Sequence, residues 1–161
     1  MSNVGVQLFR SQSGLLVSEK IAVAGLGNPF ANPITFSAPL TGSYTDATDN
    51  YSCEGTDNFW VIVKAQRGAA TNIELLAEWT HNGVDYFPLP TMEISEASGV
   101  IRHGLGNHEY DFPPAAAATQ SDAFEMAVPP IGYIRFRARA TGAPDASTKI
   151  AVGIVEVRSA R

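Results

Sequence analysis

Apolar and polar residues alternate along this chain mostly with a period of two, the spacing of strands. The cleanest run is residues 133–140. Ile134, Phe136, Ala138 and Ala140 fall on one face, and Tyr133, Arg135, Arg137 and Arg139 on the other. In residues 73–79, Ile73, Leu75, Ala77 and Trp79 share a face opposite Glu74 and Glu78, which predicts that Trp79 points inward. Phe59-Trp60-Val61-Ile62-Val63-Lys64-Ala65 is a nearly continuous run of β-branched and aromatic residues and predicts a buried strand. Shorter strands are expected at 15–23, 34–38, 92–97, 100–103, 108–112, 122–128 and 150–157. In the 122–128 run, Phe124, Met126 and Val128 are set against Asp122 and Glu125. The alanine-rich stretch 115–122 suits one helical turn or a loop.

Glycine, proline, asparagine and aspartate separate these runs. Asn82-Gly83 predicts a hairpin return, because both residues tolerate the positive φ of a tight turn. Residues 141–145 turn the chain, so 133–140 and 149–157 are expected to pair as a hairpin. Eight to ten short strands without a helix of normal length predict an all-β fold. The expected architecture is an antiparallel two-sheet β-sandwich, of which the jelly roll is one form, with an N-terminal arm and long loops. A chain of 161 residues fits one domain. Residues 1–14 read as an arm or short strand anchored by Leu8 and Phe9, and 15–161 as a single β-sandwich domain. Residues 41–58 form a polar connection longer than the ~12–15 residues usual in a compact domain. This loop, with Tyr44 and Tyr51, is expected either to contact another chain or to be disordered.

Composition narrows the class of partner. Charged residues make up 17%, below the usual ~25%, so little charge must be desolvated when a neighbour docks. A net charge of −5 lacks the basic footprint of a nucleic-acid binder and disfavours an anionic membrane. The N-terminal residues do not read as a secretory signal, and no window approaches ~18 apolar residues. Synthesis in a cytoplasm is therefore expected, and the Asn50-Tyr51-Ser52 sequon is expected to be chance. The single cysteine, Cys53, reads as a small buried thiol.

Candidate chemistry is sparse. His103, His108, Glu109 and Asp111 are metal-binding types, but two glycines between the histidines leave no common direction, so no metal is expected. Gly25-Leu26-Gly27-Asn28 and Gly104-Leu105-Gly106-Asn107 lack the third glycine of a dinucleotide loop and read as turns; no cofactor is expected. Carboxylate pairs such as Asp46/Asp49 and Glu93/Glu96 are unexceptional, and Ser13, Ser18 and Ser52 lack a nucleophile elbow. Trp60, Trp79, Tyr86 and Phe87 suit either a sugar-stacking platform or a core, and the phase of Trp79 favours the core. The Arg135–Arg137–Arg139 ladder suits acidic groups on a neighbouring subunit, because guanidinium groups bind carboxylates bidentately. It equally suits a solvated face, and Glu74 and Glu78 are candidate cross-strand partners within the chain.

Glu78-Trp79-Thr80-His81-Asn82-Gly83-Val84-Asp85-Tyr86-Phe87-Pro88-Leu89 resembles a hairpin common in tailed-phage virion proteins. The layout of residues 58–157 is similar to that of small β-sandwich capsid decoration, or cement, proteins. The resemblance implies a non-enzymatic virion protein on the outer capsid surface. Such a protein would bridge neighbouring major capsid subunits and associate with itself, as a trimer. The arm and the 41–58 loop would then reach neighbours, with Leu8, Phe9, Tyr44, Tyr51, Arg135, Arg137 and Arg139 as interface residues. A tail or fibre-attachment protein, a carbohydrate-binding module and, last, a small hydrolase are the alternatives.

Overall fold

The computed structural model describes residues 7–11, 14–45, 49–56, 58–88, 92–95, 100–103, 109–111, 119–126 and 128–159; side chains are described for residues 19–87, 119–126 and 128–156 within these ranges. The strands are β1 (Gln7–Ser11), β2 (Gly14–Ala22), β3 (Tyr51–Ser52), β4 (Asn58–Gln66), β5 (Ala70–Thr80) and β6 (Phe87–Pro88). They continue with β7 (Met92–Ser95), β8 (Val100–His103), β9 (Glu109–Asp111), β10 (Gln120–Met126), β11 (Tyr133–Gly142) and β12 (Lys149–Ser159). Among the described residues there is no helix. A five-stranded sheet has the order β1-β2-β12-β4-β10; a seven-stranded sheet has the order β3-β11-β5-β7-β8-β9, with β6 also on β5. Every pairing is antiparallel, and the fold is the expected two-sheet sandwich.

Period-two alternation builds the core. Phe59, Val61, Val63 and Ala65 of β4 and Ile150, Val152 and Ile154 of β12 meet Ile73, Leu75 and Ala77 of β5 and Ile134, Phe136, Ala138 and Ala140 of β11. Phe59 and Phe136 are the largest of the fully buried side chains, each contributing about 1.5–3 kcal/mol by leaving water. The β-branched and aromatic composition of these strands fits this pleated, one-face-buried surface.

Several expectations need correction. The strands at 133–140 and 149–157 are not a hairpin. β11 lies between β3 and β5, whereas β12 lies between β2 and β4 in the other sheet. Alternation fixes which face of a strand is buried but not which strand lies beside it. The connection 143–148 therefore crosses between sheets, as does the 67–69 connection between β4 and β5. These two crossings bind each other: Thr148 Oγ1 donates to Arg67 O at 2.9 Å, and a Cβ on Gly68 would meet Asp145 Oδ1 at 2.3 Å. Hydrogen bonds from Ser147 hold the Asp145 carboxyl below its ordinary value.

Residues 34–38 form no strand beyond the isolated Asn28–Thr35 bridge. Where β2 ends, Val23 N–H donates to Val152 O, Ser37 N–H to Ile150 O and Leu40 N–H to Thr148 O, extending the ladder along β12. Between these contacts, Pro29 and Phe30 cover Gly153 of β12 from outside; a Cβ on Gly153 would lie 2.3 Å from the Phe30 ring. The Gly25–Asn28 tetrapeptide is a turn, as expected. Gly27 takes φ +74° with Thr35 O, Ser37 N and Ile150 O within 2.9 Å of where a Cβ would stand. Gln120–Asp122 belong to β10 rather than to a helical turn. Asp122 also shares the buried face of Phe124 and Met126, as a spacing of two requires. Residues 104–108 and 112–118, with the second Gly-Leu-Gly-Asn and most of the alanine run, lie outside the described residues.

Candidate interaction surfaces

The outward face of β11 carries the arginine ladder, and the register sets its partners. Arg135 stands opposite Glu78, Arg137 opposite Leu76 and Arg139 opposite Glu74. Arg135 Nε donates to Glu78 Oε2 at 2.6 Å, and Arg139 Nε to Glu74 Oε2 at 2.5 Å. Arg137 Nη1 lies 3.9 Å from Glu78 Oε1, and its Nε donates to Thr45 O at 3.3 Å. The carboxylates beside the ladder thus come from the same chain. Two tyrosines bracket the row. Arg135 Cζ lies 3.4 Å from the Tyr86 ring centroid, and Arg139 Cζ 4.6 Å from that of Tyr44, within cation–π range. Tyr44 Oη donates to Glu74 Oε2 at 3.1 Å. Burial, followed by this carboxylate, raises the Tyr44 phenol above its ordinary value, and the same carboxylate raises Arg139.

The described part of the 41–58 loop packs on its own sandwich. Ala140 N–H donates to Thr41 O at 2.8 Å and Thr45 N–H to Ala138 O at 2.9 Å, so residues 41–45 follow the β11 edge opposite β5. Farther along that edge, Tyr51 and Ser52 pair with Ile134 and Tyr133. Tyr51 packs against the core and donates from Oη to Ala22 O at 2.6 Å, tying the two sheets; burial raises its phenol. Residues 46–48 and 57 lie outside the described residues. Leu8 and Phe9 lie in β1 at the edge of the five-stranded sheet, where Phe9 is in register with Leu16; their side chains lie outside the described residues.

A second surface lies at the end of the sandwich where β5 and β10 finish and β4 and β11 begin. Val84 is 76% exposed, Ile131 62%, Phe87 51% and Tyr133 41%. They lie on both faces of β5: Phe87 is in register with inward-facing Trp79, Tyr133 with Thr80 on the opposite face, and Val84 sits on the 81–86 loop. Trp79 joins Phe87 and Ile131. Its ring packs against the core, and its Nε1 donates to Ile131 O at 3.0 Å. Gly132 permits this contact, because at φ +78° its Cβ would meet Thr80 O at 2.4 Å and Trp79 Nε1 at 3.0 Å. Trp79, His81 and Phe87 form a ring cluster with centroids 6.0–6.3 Å apart.

The four conspicuous aromatics do not make one platform. Trp60 is 41% exposed on the outward face of the other sheet, and Tyr86 stacks under Arg135. Only Trp79 and Phe87 come together. Ile131, Val84 and Gly132 were not readable as site residues, since loop positions have no period; Pro129-Pro130 and Asn82-Gly83 signal only turns there.

The 81–86 loop differs from a two-residue turn. Gly83 has φ +74°, but no described residue other than glycine has positive φ, Asn82 included. Asn82 acts instead through its side chain, accepting at Oδ1 from Val84 N–H and Asp85 N–H, each at 2.9 Å.

Beneath this end lie Cys53, Thr56 and Glu156, all buried. Thr56 Oγ1 donates to Glu156 Oε1 at 2.6 Å. Burial, with Glu156 nearby, pushes the Cys53 thiol up to about 11, an unreactive state. Among the described residues no group of three or more His, Cys, Asp or Glu is placed to hold a metal ion. The His108 region lies outside the described residues. No model of a known protein family matches the chain, and no curated protein matches it.

Proposed function

We propose that this chain is a non-enzymatic structural protein of a tailed-phage virion. It binds the outer surface of the capsid and stabilises the shell by bridging neighbouring major capsid subunits. The observation that carries this reading is that Phe87 and Ile131, both exposed, flank Trp79 at one end of the sandwich, on and beside the hairpin that resembles virion proteins. Exposed apolar side chains beside a partly buried tryptophan, among weakly charged loops, suit docking on a protein surface, because burying them releases water while few charges lose theirs. Repetition by symmetry lets modest contacts hold. A subunit that is itself trimeric gains from effective concentration each time one copy engages.

Co-sedimentation with assembled shells tests this. Wild-type protein is expected to pellet with expanded shells, and Phe87→Ser with Ile131→Ser to remain in the supernatant while still folded and trimeric by light scattering. A monomer that leaves shells bare overturns the proposal. The Trp79–His81–Phe87 ring cluster supports one second reading, a carbohydrate-binding module, because grouped rings suit the CH faces of a sugar. Glycan-array binding abolished by Phe87→Ser, without shell binding, would decide for it.

A further inference from the structure

We propose that Asn82 is a latent deamidation site that its own hairpin loop holds shut. Asn-Gly is the dipeptide most open to this reaction, since glycine places no side chain in the path of attack. The Gly83 amide nitrogen loses its proton and bonds to Asn82 Cγ, and the Cγ–Nδ2 bond breaks as ammonia leaves. Water then opens the five-membered succinimide to aspartate or isoaspartate. Asn82, Gly83 and their loop neighbours are exposed, so water and base have access.

The loop restrains both reacting groups. Gly83 N–H, whose proton must leave, donates to Thr80 Oγ1 at 2.9 Å. The Asn82 carboxamide is pinned at both ends. Oδ1 accepts from Val84 N–H and Asp85 N–H, and Nδ2 donates to Asp85 Oδ2 at 2.8 Å. Turning Cγ toward the Gly83 nitrogen breaks these bonds together. Thr80 is the fixed point: it is fully buried, and its hydroxyl also accepts from Asn82 N–H at 3.3 Å. Reaction therefore waits on local opening of the loop. The product would place a new negative charge beside Val84 and the Asp85 carboxylate. The inference stands on the loop geometry and does not depend on the proposed function.

The test follows isoaspartate and the amide-to-acid mass change at Asn82 by peptide mapping of the full-length protein, held at mildly alkaline pH either folded or in guanidinium chloride. Breaking several hydrogen bonds predicts at least about tenfold slower reaction in the folded chain. Thr80→Val, checked for folding by its thermal melt, is expected to react about five- to tenfold faster than wild type, and Thr80→Ser, which keeps the hydroxyl, at the wild-type rate. Asp85→Ala frees Nδ2 and is expected to accelerate the reaction as well. Equal rates for the folded and unfolded wild type overturn the inference, as does a folded Thr80→Val no faster than wild type. Should Thr80→Val not fold, the wild-type comparison and Asp85→Ala still decide.

Discussion

Glu78 offers the sharpest test of how the arginine ladder is held. Its side chain is only 9% exposed, against 21% for Arg135, and the two meet through a 2.6 Å hydrogen bond. Arg137 draws on the same carboxylate from 3.9 Å, and Tyr86 covers the Arg135 guanidinium from the other side. A hydrogen bond to a charged group contributes roughly 1.5–3 kcal/mol. Residual solvent at Arg135 keeps the pair short of the ~3–5 kcal/mol lost when one partner of a fully buried pair is removed. A double-mutant cycle of Glu78→Ala and Arg135→Ala, read by urea unfolding, is therefore expected to give a coupling of about 1.5–3 kcal/mol. Glu78→Ala alone should cost more than Arg135→Ala alone, because it strips a carboxylate from two guanidinium groups. The Arg139–Glu74 pair is more open, at 37% and 18% exposure, and its coupling should be smaller and fall further in ~1 M salt, where the Debye length is ~3 Å. A Glu78–Arg135 coupling below ~0.5 kcal/mol, within the range of independent sites, would refute intrachain pairing as the ladder's main role. A coupling no larger than that of Arg139–Glu74 would do the same.

Other outcomes follow from particular contacts. Gly27→Ala meets both a positive φ and three backbone atoms, so calorimetry should show a loss of at least about 1–3 kcal/mol; an unchanged melting temperature would contradict the tight turn. Gly153→Val must push Phe30 and Pro29 off the five-stranded sheet and is expected to cost about 1–3 kcal/mol, with increased proteolysis of residues 23–40 as the second readout. Phe87→Ser, at an exposed position, should change stability by no more than about 0.5 kcal/mol while reducing shell binding; a collapse of stability would make Phe87 a core residue. The Cys53 thiol titrates near 9.0 when unfolded and near 11 when folded. Its contribution to stability is thus complete below pH 9.0 and lost as pH rises through about 11. Unfolding measured across that window should show this decline, and Cys53→Ala should postpone its onset toward the range where the raised tyrosines Tyr44 and Tyr51 begin to titrate.

What could be read in advance follows from what a period of two encodes. It placed Ile134, Phe136, Ala138 and Ala140 inside and the three arginines outside, because every second residue must share a face. It did not say that β11 neighbours β5 rather than β12, since both have an apolar face able to cover the same core. The arginine partners depended on that neighbour. Once β5 lies beside β11, the register alone sets Glu78 against Arg135 and Glu74 against Arg139, and a face suited to a foreign carboxylate acquires its own. Residues 34–40 misled for a related reason: they extend along β12 by isolated backbone bonds, so strand-like composition appears without a strand. The end of the sandwich was least legible, because Ile131 lies in a loop and only the fold brings it and Phe87 to Trp79. Yet Trp79 belongs to both regions. Its phase sends it toward the core at the last residues of β5, where it is partly buried, and its indole N–H reaches the Ile131 carbonyl. The ring that the pattern assigns to the interior therefore holds up the surface that the pattern could not show.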